Sequence, residues 1–313
     1  MKHVAVTLGD PGGIGAETTF KALIALDNNL NKNTHFHVFG SDVIYTHSTM
    51  TPLIAQLPTN TTLHSVYDLP NTFVTGNTSP ENGTAAYTYI ETALDWIKSG
   101  KCSTLVTAPI SKTSLQQAGY THTGHTTLLK EKTNADNVSM AFFTNRLKTI
   151  LTTVHIPLSK VPSLITNEAL SKTLDNTIKM AQLLEIDSPK IALAGLNPHA
   201  SEDGLFGTEE QDTLIPFVKD SQSDNYILEG PFPPDTIYHR AYKGDFDIVI
   251  SLYHDQGLIP IKLLAFDEAV NMTLGLPFLR TSPDHGTAFD IAYTDQANPN
   301  SMIESLKLAI AYG

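Results

Sequence analysis

Short apolar runs bounded by glycine and proline alternate along this chain with stretches whose apolar residues recur every three or four positions. The runs at 4–8, 36–39, 104–107, 149–154, 190–194 and 246–251 read as strands. Between them, 85–98 and 174–184 carry the helical period most clearly. Such alternation predicts an α/β chain with parallel sheets and crossover helices, whose sites form beyond the carboxyl ends of the strands. The loops expected to matter therefore follow strands, at 9–15, 108–112, 155–160, 195–207 and 253–260. Two polar stretches, 26–33 and 58–62, read as surface loops. Neither an internal repeat nor a low-complexity segment interrupts the pattern, and no linker marks a domain boundary.

A length of 313 residues is enough for two α/β lobes. Thirty-two acidic against twenty basic residues leave a net charge of −12 with no run of Lys or Arg, which argues against a nucleic-acid partner. No apolar run approaches the ~18 residues of a membrane helix, so no membrane partner is expected. Cys102 stands alone, which excludes an intramolecular disulfide framework and a multi-cysteine zinc site. Residues 1–9 lack the apolar core and cleavage site of a signal peptide, and a cytoplasmic protein is expected. Any metal would then need histidine and carboxylate ligands, and twelve histidines are available.

The first post-strand loop, Gly9-Asp10-Pro11-Gly12-Gly13-Ile14-Gly15-Ala16-Glu17, could bring backbone amides close to an anion, or could simply be a tight strand-to-helix turn. It is not a dinucleotide fingerprint, because Thr18 stands where the third glycine belongs and Asp10 would oppose a phosphate. His155, His199 and His254 occupy similar post-strand positions, and three imidazoles with open coordination positions are what a catalytic divalent ion requires. Their spacings of 44 and 55 residues carry no signal, and a histidine beside a strand also serves as a hydrogen-bonded structural residue. His122, His125, Thr126, Lys262, Asn271 and Arg280 form a set that a phosphorylated small substrate would use. Arg grips phosphate with two hydrogen bonds and Lys supplies a point charge, although either cation can also be ordinary surface charge.

The segment Ser282-Pro283-Asp284-His285-Gly286-Thr287-Ala288-Phe289-Asp290-Ile291-Ala292, followed by Ala297-Asn298-Pro299, resembles the adenosine-binding loop of the isocitrate and isopropylmalate dehydrogenases. The opening loop resembles their Gly-Asp-Gly-Ile-Gly-Pro-Glu start, and those enzymes bind NAD without a Rossmann fingerprint. Residues 107–112 (Thr-Ala-Pro-Ile-Ser-Lys), 123–126 (Thr-Gly-His-Thr), 197–200 (Asn-Pro-His-Ala) and 253–258 (Tyr-His-Asp-Gln-Gly-Leu) narrow the match. With the two loops they make six motifs in order across nearly the whole chain, and they resemble the 4-hydroxythreonine-4-phosphate dehydrogenase family of pyridoxine biosynthesis. The chain departs from that pattern at Gly12 and Ala16, where the family has Ala and Pro, and at Ser201 and Asp203, where two glycines are common. Asp203 adds negative charge near the expected site.

The resemblance implies a two-lobed α/β/α fold of the isocitrate and isopropylmalate dehydrogenase type, with the active site in the interlobe cleft. It implies a discontinuous cofactor-binding lobe, 1–122 with 256–313, and a metal, substrate and dimerisation lobe, 123–255. It implies metal ligands at His155, His199 and His254 and substrate contacts at His125, Thr126, Lys262, Asn271 and Arg280. The adenosine end of the cofactor falls on the loop of His285 and Asp290, and Asp235 or Asp255 is a candidate proton acceptor or an orienter of a ligand imidazole. The implied cofactors are NAD or NADP and one divalent metal (zinc, magnesium or cobalt). The implied assembly is a homodimer with the active site near the subunit interface. The expected reaction oxidises 4-phosphooxy-L-threonine to a 3-oxo acid that decarboxylates to 3-amino-2-oxopropyl phosphate. Rival readings are a D-threonate or D-erythronate 4-phosphate dehydrogenase of the same family, an acyltransferase resembling phosphotransacetylase, and an inactive metal and sugar-phosphate binding protein.

Overall fold

The computed structural model describes residues 1–26, 32–70 and 72–313; most of the expected 26–33 loop lies outside them. Among the described residues there are eleven strands: β1 (Lys2–Thr7), β2 (Thr34–Gly40), β3 (Thr61–Ser65), β4 (Thr104–Thr107), β5 (Ser139–Phe143), β6 (Lys148–Leu151), β7 (Lys190–Ala194), β8 (Ile227–Phe232), β9 (Ile248–Ser251), β10 (Val270–Leu274) and β11 (Leu279–Pro283). The longer helices are α1 (Gly15–Ala25), α2 (Pro80–Lys98), α3 (Lys112–Gln117), α4 (His125–Thr133), α5 (Asn167–Leu183), α6 (Pro234–Lys243), α7 (His254–Ala265) and α8 (Asn300–Tyr312). The chain is α/β as expected. The segment 58–62 is not wholly loop, because Thr61 and Thr62 open β3, where β-branched residues suit an edge strand.

Two compact units divide the chain, Met1–Ala135 with Leu276–Gly313, and Asp136–Gly275. The sequence expectation set the divisions at 122/123 and 255/256. Packing explains the later positions: Leu128 and Leu129 of α4 belong to the first unit's core, whereas Leu258 and Ile261 of α7 and Ala269 before β10 belong to the second's.

In the first unit the strands run in the order β3-β2-β1-β4-β11, all parallel. The four residues of β4 are all buried, as expected of a strand covered on both faces. Helix α2 starts where the Ser79 hydroxyl accepts from the Asn82 amide, and its Tyr89, Ile90, Ala93 and Leu94 enter the core with Phe20 of α1 and Phe36 of β2. In the second unit the order is β10-β5-β6-β9-β7-β8, with β10, β5 and β6 successively antiparallel and β6, β9, β7 and β8 parallel. Helix α5 is capped in the same way by Thr166, which accepts from Ala169.

Candidate active site

Parallel neighbours β6, β9 and β7 deliver their carboxyl ends to one edge of the second unit's sheet. His155 follows β6, His254 opens α7 after β9, and His199 lies in the loop after β7. The three exits are hydrogen-bonded to one another. Thr153 donates from its hydroxyl (2.7 Å) and its amide (3.1 Å) to the Leu252 carbonyl, tying the β6 exit to the β9 exit. Buried Gln256 accepts from the Leu252 amide and donates to the Gly195 carbonyl, both at 2.7 Å, which ties β9 to β7.

His155 and His254 stand with ring centres 5.6 Å apart, on a cavity of about 550 Å3 that Val154, Leu158, Tyr253 and Asp255 also line. Asp255 Oδ1 lies 2.7 Å from His254 Nδ1, so that nitrogen carries the proton and Nε2 presents its lone pair. His199 is exposed on a left-handed turn, with φ of +55° there and between +45° and +70° at Ala200, Ser201, Glu202 and Asp203. Ordinary residues adopt that region at a cost. The turn is braced by Glu210, which is fully buried and accepts from the Leu196 and Asn197 amides and the Asn197 side chain, each at 2.8 Å. Among the described residues, no three His, Cys, Asp or Glu side chains stand close enough together to hold a metal ion. The donor chemistry still fits a divalent ion: two imidazoles share a cavity, and a carboxylate fixes the tautomer of one of them. Asp235 lies exposed in the first turn of α6.

In the first unit, Arg280 of β11 is 2% exposed and donates to the Thr107 hydroxyl from Nη2 (2.6 Å) and Nε (3.2 Å). Burial lowers its pKa to about 9, which leaves the guanidinium charged at neutral pH. His125, at the start of α4, is pushed well below the usual histidine range by burial and by the Arg280 charge. It is therefore a neutral imidazole, and its buried Nε2 has no hydrogen-bond partner. Thr126 follows it, half-buried. Asn271 of β10 has a buried, unpartnered Oδ1, and Lys262 of α7 lies with Nζ 5.4 Å from the Phe266 ring; both belong to the second unit.

The opening loop and the 284–290 loop meet within the first unit. The Ile14 amide donates to the Thr287 carbonyl at 2.9 Å, and a Cβ on Gly13 would come within 2.8 Å of that same oxygen. Gly9 adopts φ of +70° against the backbone of Ala108 and Pro109, where only glycine fits without strain. Glu17, 1% exposed, accepts from the Ala297 amide at 2.8 Å and from Lys21 at 2.9 Å, so the two motifs most distant in sequence are joined by one carboxylate. His285 Nδ1 donates to the Gly286 carbonyl at 3.0 Å, leaving Nε2 as the acceptor, and Asp290 is exposed. Sequence reasoning did not single out Thr107, Glu210 or Gln256 for a role. Thr107 and Gln256 lie inside quoted motifs, whereas Glu210 carried no local signal.

The fold and these motif contacts define an α/β protein whose opening and closing motifs are joined in one unit. Residues 14–309 match the family described as pyridoxal phosphate biosynthetic protein PdxA. A 4-hydroxythreonine-4-phosphate dehydrogenase of Sulfurihydrogenibium sp. (strain YO3AOP1) is 42% identical, over 99% of this chain and 98% of its own. A D-threonate 4-phosphate dehydrogenase of Pectobacterium atrosepticum is 36% identical, over 99% and 98%. The crystal structure of a 4-hydroxythreonine-4-phosphate dehydrogenase from Klebsiella pneumoniae superposes with a TM-score of 0.85 at 34% identity, over 100% and 99%. This chain belongs to the PdxA family, as its six motifs imply.

Proposed function

We propose that the protein is an NAD(P)- and metal-dependent dehydrogenase that oxidises 4-phosphooxy-L-threonine to a 3-oxo acid, which loses CO2 to give 3-amino-2-oxopropyl phosphate. The observation that carries this reading is the pairing of His155 and His254 over one cavity, at the edge where the His199 loop also emerges. In the proposal these three imidazoles hold one divalent ion. When bound, that ion supplies Lewis acidity to the substrate hydroxyl and to the charge left as CO2 departs, while the nicotinamide accepts the hydride. Asp255 orients His254 through Nδ1, and Glu210 and Gln256 hold the loops of His199 and His254 in place. Asp255 or Asp235 takes the hydroxyl proton.

In the first unit Arg280, hydrogen-bonded to Thr107, and Thr126 bind the substrate phosphate, and His125 binds as a neutral imidazole; in the second unit Lys262 and Asn271 serve as substrate contacts. The loop of His285 and Asp290, packed on the opening loop, receives the adenosine end of the cofactor. A homodimer with the site near its interface is also part of the proposal. Exposed Leu158 beside His155, and Ile259, Leu263, Leu264 and Phe266 on and after α7, support it as an apolar face. The Pectobacterium relative supports a second reading, oxidation of D-threonate 4-phosphate.

The test supplies purified protein with NAD+ or NADP+, a divalent metal and each phosphorylated acid, following absorbance of the reduced cofactor. Turnover with 4-phosphooxy-L-threonine that chelation abolishes is expected. Higher specificity constants for the aldonate phosphates would select the second reading, and no metal-dependent turnover with either class would refute both.

A further inference from the structure

At the opposite edge of the second unit's sheet, where β6 and β9 begin, a second cavity of about 400 Å3 opens among Asn145, Arg146, Lys148, Tyr242, Lys243 and Asp247. The sequence has no run of basic residues; the fold assembles this one from the β5–β6 turn and the end of α6, about a hundred positions apart. Arg146 is held in place: its Nη1 donates to the Tyr242 hydroxyl at 3.1 Å and its guanidinium stacks over that ring, 5.3 Å from the centroid. The turn that presents it is pinned by Thr144, whose hydroxyl accepts from the Leu147 amide at 2.9 Å. Lys148, half-buried, has an ammonium with no hydrogen-bond acceptor among the described residues and lies 5.5 Å from the Phe143 ring. Burial disfavours its charged form, opposed only by the Asp247 carboxylate, and one oxygen of that carboxylate already accepts from the Lys190 amide at 2.8 Å. Lys243 is exposed, with no ion pair among the described residues.

Three cations against one partly committed carboxylate, in a chain of net charge −12, concentrate positive charge at a concave point. The end of α6 would by itself repel an anion. That effect is reduced because the Arg240 and Ala241 carbonyls are capped by the Asp245 and Gly244 amides. Arg240 and Asp245 pair with each other at 3.2 Å and add no net charge.

We propose that this cavity binds a phosphate dianion, free or as the head of a small phosphomonoester, at a site separate from that of Arg280. A guanidinium fixed by Tyr242 supplies directional hydrogen bonds, and Lys148 and Lys243 supply point charges. Phosphate also relieves the desolvated Lys148 ammonium of its missing partner.

The experiment is a calorimetric titration of the full chain with inorganic phosphate and, separately, with glycerol 3-phosphate. It compares wild type, Arg146→Gln/Lys148→Gln, and Lys243→Glu, whose exposed position leaves folding unaffected. The double variant should weaken one binding component by about tenfold or more, and Lys243→Glu should weaken the same component. Phosphate held at Arg280 forms a component that these substitutions leave unchanged, so failure there is distinguishable from failure here. Tighter binding of glycerol 3-phosphate identifies a phosphomonoester, and equal or weaker binding identifies free phosphate. Affinities within twofold of wild type for every component in both charge-removing variants, with far-ultraviolet circular dichroism intact, would overturn the proposal.

Discussion

Asp10 is 1% exposed, and burial raises its carboxyl to about 6, with Ser114 and the Gly12 amide only partly offsetting the effect. Between the unfolded value of 3.8 and about 6, the folded chain binds more protons than the unfolded one. Stability from this residue is therefore present at low pH and is lost as pH rises through that window. Asparagine keeps the oxygen that accepts from Gly12 at 2.9 Å and removes the ionisation. Asp10→Asn should be more stable than wild type at pH 8 by up to about 3 kcal/mol, with the gain vanishing below pH ~4, in urea unfolding across pH. Equal stability of the two chains at pH 8 would count against this account. Sequence reading placed Asp10 in a loop of interest. Its protonation was invisible there, because the burial that raises the carboxyl, and the Ser114 contact that opposes it, come from residues distant along the chain.

Elements differ in how much of them was readable. Strands at 104–107 and 190–194 have the expected bounds, because Gly, Pro or Ser punctuates both ends of a short apolar run. The strand in the run 149–154 ends sooner than its apolar pattern predicts: ladder pairing stops at Leu151, and Thr152 and Thr153 turn their hydrogen bonds to the neighbouring strand's exit. Strands β5, β8, β10 and β11 were not read at all, lacking either a long apolar run or clean alternation. The left-handed turn at 199–203 gives physical content to the family's preference for glycine at 201 and 203. Ser201 offsets its strained φ of +70° with hydrogen bonds to Gln211 and from the Gly204 amide. Asp203, exposed at φ of +57°, has no such compensation among its hydrogen bonds. Asp203→Gly should raise stability by roughly 1 kcal/mol in chemical unfolding, and a loss of stability would show that the turn is not strained there.

At the scale of the molecule, the second unit carries an apolar strip on and after α7: Ile259 is 64% exposed, Leu263 83% and Phe266 64%. A strip of this kind is normally covered. Leu263→Glu should convert a homodimer to monomers in sedimentation analysis while leaving the far-ultraviolet spectrum unchanged. A wild-type chain that already sediments as a monomer would remove the dimer from the proposal. Among the described residues no helix is long and apolar enough to cross a membrane.

The sequence by itself determined the α/β class and the family, because strand punctuation and the six motifs are local strings that survive without knowledge of their neighbours. It also marked which loops to examine, since sites form at the carboxyl ends of parallel strands wherever those strands lie. Only the tertiary structure decided which residues share a space. His155 meets His254 because β6 and β9 are neighbours, an order no local pattern specifies. Arg280 is buried on Thr107 because β11 pairs with β4, and Arg146, Lys148 and Lys243 form a cationic cavity because the β5–β6 turn abuts the end of α6. Burial, protonation and charge concentration follow from those long-range pairings: the field at an atom is summed over neighbours in space, whereas sequence patterns report neighbours along the chain.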